Sequence, residues 1–303
     1  MRLRLGRPDL ATYAHRFDLP EATGDLSITF LGVATLLISD GETSVMTDGF
    51  FSRPGLASVG LKPLNPDDAR IDAALNRVGV DRLAAVLPVH SHFDHAMDSA
   101  VVAERTGAQL VGGRSTANIG RGHGLPESRL DEVASGSSRA YGDFTVTLVE
   151  SHHCPPDRYP GQIESPLPTP ARARAYKCGE AWSIFFEHSS GRSVLVQGSA
   201  GFVPGSLAGR HADVVYLGVG QLGVQDDDYI RTFWAETVRA VGARSVVLIH
   251  WDDFFRPLDQ PLRALPFAGD DLDLTLRVLG ALADRDGVRL SFPTVWQRED
   301  PWA

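Results

Sequence analysis

A chain of 303 residues, 43% apolar and 22% charged, can bury a full core without disulfide or metal staples. Its formal charge of −9 argues against general nucleic-acid binding, which needs a basic face that neutralises many phosphates. No window approaches the ~18 apolar residues of a membrane span. The N-terminal "MRLRLGRPDLATYAHRFDLP" follows its positive charges with no apolar stretch, so the expected location is cytoplasmic.

In chain order, strands are expected at 27 to 32, 35 to 39 and 44 to 48, separated by short Gly-containing turns as in an antiparallel meander. A helix over 70 to 78, a buried strand at "LAAVLPV", a helix over 95 to 106, a strand at "QLVGG" and a helix over 114 to 121 follow. The second half repeats the logic, with strands at "FTVTLVE", "WSIFFEH", "SVLVQG", "DVVYLG" and "SVVLIH" and helices near 228 to 241 and 271 to 284. Two β-rich halves with helices predict an α/β fold of sheets packed face to face. No low-complexity linker divides the chain, so a single domain over 1 to 303, with its core at about 27 to 291, is expected.

The stretch "VHSHFDHAMD" at 89 to 98 gathers three of the chain's ten histidines behind the strand "LAAVLPV". His90 and His92 project to the same side of an extended segment, which is chelate geometry. Asp94 and His95 can face a second point a few ångströms away, as two-metal hydrolytic sites with centres roughly 3.5 to 4 Å apart require. Imidazole and carboxylate donors suit zinc, with manganese or iron as alternatives. A strand, then His-x-His-x-Asp-His, then a helix is a specific metal signature, and here it is complete.

With this motif the chain resembles the metallo-β-lactamase superfamily over roughly residues 27 to 253, and distantly its lactonase-like and phospholipase-D-like branch. The resemblance implies a four-layer αββα sandwich, two metal ions and a metal-activated water. It implies His90, His92 and His153 on one ion and Asp94, His95 and His250 on the other, with Asp94 also orienting the water. "ESHHCPP" offers both His152 and His153. It looks like the Glu-Ser-x-His-x-Pro ending of one branch, which favours His153 and turns His152 away by strand alternation. Asp48, ending the strand "SVMTD", would hydrogen-bond a ligand. Two positions depart from the pattern. Ser199 stands where dinuclear members carry a bridging Asp, and Val33 where the branch often has His.

"GVGQLG" at 218 to 223 fits a dinucleotide fingerprint, but Asp226, Asp227 and Asp228 just beyond would repel a pyrophosphate, so it reads as a loop. Trp234, at helical spacing from Tyr229 and Val238, reads as core. Cys154 and Cys178 are expected as free thiols, although one bridge between them stays open. The long proline-rich loop between them ends in Arg172, Arg174 and Lys177, which would hold an anionic substrate group if the loop covers the metals. The expected function is hydrolysis of an ester, lactone, amide or phosphodiester in a small-molecule substrate; the competing reading is a metal-binding protein of the same fold without turnover. Oligomeric state leaves no mark in the sequence.

Overall fold

The computed structural model describes residues 4–303. Its first half runs β1 (Ser27–Phe30), β2 (Leu36–Ser39), β3 (Ser44–Thr47), α1 (Leu56–Leu61), α2 (Asp68–Val78), β4 (Ala85–Leu87), α3 (Phe93–Ala96), α4 (Ser99–Thr106), β5 (Gln109–Gly112), α5 (Arg114–His123) and β6 (Leu130–Glu132). The second half runs β7 (Ser138–Tyr141), β8 (Phe144–Ser151), β9 (Ala181–His188), β10 (Ser193–Gln197), β11 (Val214–Gly218), α6 (Asp227–Trp234), β12 (Ser245–Ile249), α7 (Leu272–Asp286) and β13 (Arg289–Ser291). A short β14 (Arg298–Glu299) returns to the first half.

Two seven-stranded sheets result, ordered β14-β1-β2-β3-β4-β5-β6 and β13-β12-β11-β10-β9-β8-β7. Both follow one plan. Hairpins make β1, β2 and β3 antiparallel, after which helical crossovers make β3 through β6 parallel. Likewise β7 through β10 are antiparallel and β10 through β13 parallel.

Strand alternation explains the layers. Leu36, Ile38, Val45, Leu87 and Val111 face the core shared with Val146, Leu148, Ile184 and Leu195 of the second sheet. Their neighbours Leu37, Met46, Val86 and Leu110 point the other way, against Leu75, Val101 and Ile119 of the first half's helices. This is the αββα sandwich that the motif implied. Helix ends carry the expected signals: Asp67, Asp226 and Asp271 each accept a backbone N–H of the first turn, and Gly79 and Gly287 end α2 and α7 in the left-handed conformation.

The helix expected over 95 to 106 is divided into α3 and α4, because Asp98 turns inward to accept the N–H groups of Phe51 and Ser52 and the Ser52 hydroxyl. The one expected near 228 to 241 changes after Trp234 to a wider π-helical turn over Ala235–Arg239. Trp234 is fully buried, as its spacing implied. No helix among the described residues is long and apolar enough to cross a membrane.

Candidate metal centre

The candidate residues lie just beyond the carboxyl ends of strands, three of these strands in the parallel runs and one, β8, antiparallel to its neighbours. β3 ends at Asp48, β4 leads to His90, His92, Asp94 and His95, β8 leads to His153, and β12 ends at His250. The structure gathers them into two groups whose ligand atoms each lie within 4.8 Å of one another: His90, His92 and His153, and Asp94, His95 and His250.

Hydrogen bonds tell which nitrogen faces inward. His95 Nδ1 sits 2.7 Å from Asp48 Oδ2, which leaves Nε2 free, and that atom lies 3.2 Å from His250 Nε2. His153 Nδ1 donates to the Cys154 carbonyl at 2.6 Å, so its Nε2 is the available donor. His90 Nε2 and His92 Nδ1 are 3.0 Å apart, while His92 Nε2 lies 3.3 Å from Asp157 Oδ1 and 3.4 Å from the Tyr159 carbonyl. Asp94 Oδ2 lies 3.8 Å from His95 Nε2 and 3.7 Å from His250 Nε2. The rings of His90 and His95, one from each group, are 4.0 Å apart.

Charge explains why this crowding suits a cation. Burial, reinforced by the surrounding histidines, holds His90 well below the usual imidazole range. Burial and His92 push His153 down to about 4. Burial also lowers His250, with His95 adding to it. His95 goes the other way: burial opposes its proton, but the carboxylates of Asp48 and Asp94 outweigh that. Burial likewise opposes ionisation of Asp94, yet His95 and His250 keep its carboxyl below the ordinary value. Neutral imidazoles with lone pairs converging beside a carboxylate are what a divalent cation requires, so the donors fit the implied metals.

The backbone around the groups is unusual. Val33, Asp48, Arg53 and His250 all have φ between 41° and 58°, a region that non-glycine residues seldom occupy outside functional sites. Asp48, fully buried, also accepts the Val89 N–H at 2.9 Å, fixing the start of the ligand-bearing turn.

Other candidate residues are placed differently. His152 is exposed and belongs to neither group. Ser199 is buried, and its hydroxyl accepts the Cys154 N–H at 3.0 Å, beside the His153 turn. The proline-rich segment is a strap folded onto the first half: Leu64 pairs with Ala171, Asn118 holds the Ile163 carbonyl, and Tyr176 is buried. It turns Asp157 and Tyr159 toward His92. No hydrogen bond or ion pair among the described residues joins Arg172, Arg174 or Lys177 to the histidines; Arg172 and Arg174 are exposed, and Arg172 donates to the Leu61 carbonyl. Asp157 and Tyr159 carry no signal in the sequence, since only the fold of the strap brings them to the centre. Cys154 and Cys178 are both free and buried. In the "GVGQLG" loop, Asp270 accepts the N–H groups of Gln221 and Gly223, the donors a phosphate would need.

No family model matches the chain. A UPF0173 metal-dependent hydrolase of Rubrobacter xylanophilus is 26% identical over 237 residues, 77% of this chain and 85% of that protein. One of Myxococcus xanthus is 28% identical over 131 residues, and the match spans only 43% of this chain and 40% of the relative's length. Among solved structures, a possible metal-dependent hydrolase from Veillonella parvula superposes with a TM-score of 0.55 at 14% identity, covering 91% of this chain and 99% of that one.

Proposed function

We propose that the chain is a metal-dependent hydrolase of the metallo-β-lactamase superfamily, acting on an ester, lactone, amide or phosphodiester of a small molecule; the fold and the likeness to UPF0173 metal-dependent hydrolases support this reading. The observation that carries the reading is the pair of converging groups, His90, His92 and His153 beside Asp94, His95 and His250. In this reading the cofactor is two zinc ions, with manganese or iron as alternatives of similar ligand chemistry. Bound there, the ions supply Lewis acidity and lower the pKa of a water to about 7.

The protein's own groups do the rest. Asp94, whose Oδ2 lies 3.8 Å from His95 Nε2 and 3.7 Å from His250 Nε2, would help hold the ion there and would orient the attacking water. Asp48 holds His95, and Asp157 with the Tyr159 carbonyl holds His92, fixing the ring nitrogen each presents. The Val89 N–H on Asp48 keeps that carboxylate from turning away.

Elemental analysis of the purified protein, joined to a screen of esters, lactones, amides and phosphodiesters, tests the proposal. Zinc, manganese or iron near two equivalents, with turnover abolished by His90→Ala, is the expected result. Metal bound without turnover of any of these bonds would favour the alternative, a binding protein of the same fold in which Ser199 marks a decayed centre. Less than a tenth of an equivalent of any transition metal after supplementation would sink both.

A further inference from the structure

Arg53 is fully buried, with φ of 41°, in the segment linking β3 to α1. Its Nη2 donates to Asp252 Oδ2 at 2.5 Å and to the Asp253 carbonyl at 2.9 Å, and its Nε donates to the Arg256 carbonyl at 2.6 Å. Asp252 is equally buried, and its Oδ1 accepts the Val33 N–H at 2.9 Å. Val33 in turn accepts the His250 N–H on its carbonyl at 2.7 Å. The chain of contacts therefore runs from the guanidinium through Asp252 and Val33 to the backbone of a candidate ligand. Val33 and His250 both hold positive φ along it, at 54° and 58°.

A buried ion pair is weak support for stability, because taking two charges out of water costs as much as their attraction returns. A buried pair threaded through strained backbone is better understood as fixing a geometry. Packing agrees: a Cβ on Gly32, itself at φ of 90°, would lie 2.2 Å from Arg53 Nη1, so the turn between β1 and β2 closes tightly onto the guanidinium. The same segment after β3 carries Asp48, which holds His95. One stretch, 48 to 53, thus reaches both histidines of the Asp94, His95 and His250 group, His95 by contact and His250 through the relay. Among the described residues no contact of Arg53 or Asp252 leads to His90, His92 or His153: His90 meets His92, His92 meets the strap, His153 meets Cys154, and Asp48 holds the turn before His90 through the Val89 N–H.

We propose that Arg53 and Asp252 are positioning residues for the second cation: they hold His250 where it can ligate, so retention of the ion at Asp94, His95 and His250 depends on the pair, while His90, His92 and His153 bind independently of it. This rests on the reading of those two groups as metal sites.

The test titrates metal-free protein with zinc against a chromophoric chelator and follows the cobalt(II) absorption of each site, so no activity is needed. Wild type is expected to bind two equivalents. Arg53→Met should weaken the second equivalent at least tenfold and leave the first within about twofold, a split that mere destabilisation does not produce. Arg53→Lys, which can keep the contact to Asp252, should restore part of the loss. Asp286→Ala, which breaks a remote ion pair on the outer helices, should lower the melting temperature and leave both equivalents intact. If Arg53→Met fails to fold, Asp252→Asn takes its place: the amide oxygen still accepts from Val33 while its NH2 no longer accepts from the guanidinium, so the same selective loss is expected, read at a temperature below the variant's own unfolding transition. Two equivalents bound with unchanged affinity by Arg53→Met, or by Asp252→Asn in its place, would overturn the proposal alone. Wild type binding fewer than two equivalents, or His250→Ala binding like wild type, would overturn the two-site reading and the proposal with it.

Discussion

At the scale of single residues, adjacency decides function. His152 and His153 are neighbours in sequence, yet one is exposed and the other, half-buried, completes a group with the buried His90 and His92. His153→Ala should therefore remove most of one equivalent of metal and His152→Ala almost none, as read by elemental analysis; equal losses would show that the wrong residue has been chosen. Ser199 allows a sharper experiment. Two divalent cations with Asp94 as the one anionic ligand leave a formal charge of roughly +3 before any anion binds. Ser199→Asp should tighten the more weakly held zinc and weaken inhibition by inorganic phosphate, because a protein carboxylate then occupies the place and charge an anion would use. If zinc titration and phosphate inhibition both stay as in wild type, Ser199 serves only to hold the Cys154 N–H.

At the scale of elements, what could be read in advance was what repeats locally. The central strands of both sheets are apolar runs bounded by turns, and His90, His92, Asp94 and His95 lie within six positions on one turn, so their spacing already states their geometry. Contacts between distant segments leave no such mark. The Arg53 to Asp252 pair spans 199 positions, and the approach of Asp157 to His92 depends on a strap whose course is set by burying Ile163, Ala173 and Tyr176 against the first half's helices. β7 and β14 were equally hidden, the first because much of it is exposed, the second because it is two residues long. On the outer face of the second sheet, Asp286 at the end of α7 accepts from Trp234 Nε1 at 2.7 Å and from Arg239 at 2.6 Å, tying α6 and its π-helical turn to α7. Asp286→Ala leaves the indole N–H of a buried tryptophan unpaired, which should cost about 1–3 kcal/mol, visible as a lower urea midpoint with metal content unchanged.

At the scale of the whole molecule, β14 closes the chain's end back onto its beginning, and it does so with a buried acid. Glu299 is fully buried; Oε1 accepts the Thr294 N–H, Oε2 has no partner among the described residues, and burial pushes the carboxyl up to about 8. The folded state therefore keeps a proton that the unfolded chain releases near 4.5. Stability contributed by this group is fully present below the unfolded value and is lost as pH rises toward 8, by roughly 1.4 kcal/mol per pH unit within that window at most. Glu299→Gln, which cannot ionise, should lose less stability than wild type between pH 5 and pH 8 in urea titrations; parallel curves for the two would show that Glu299 is ionised in the fold.

The six converging side chains are drawn from both halves of the chain, four from the turn after β4 and one each from beyond β8 and β12. An ion seated among them is therefore a clasp across the seam of the sandwich as much as a reagent. Without it, the strand ends of two sheets would meet at four imidazoles and a carboxylate whose inward-facing atoms lie against one another, around a His153 held by the Cys154 carbonyl, and the seam is where such a protein would be expected to open first. If the centre is loaded as proposed, a chelator should lower the urea midpoint of the purified protein and added zinc should restore it; an unchanged midpoint would show that the seam holds without the ion.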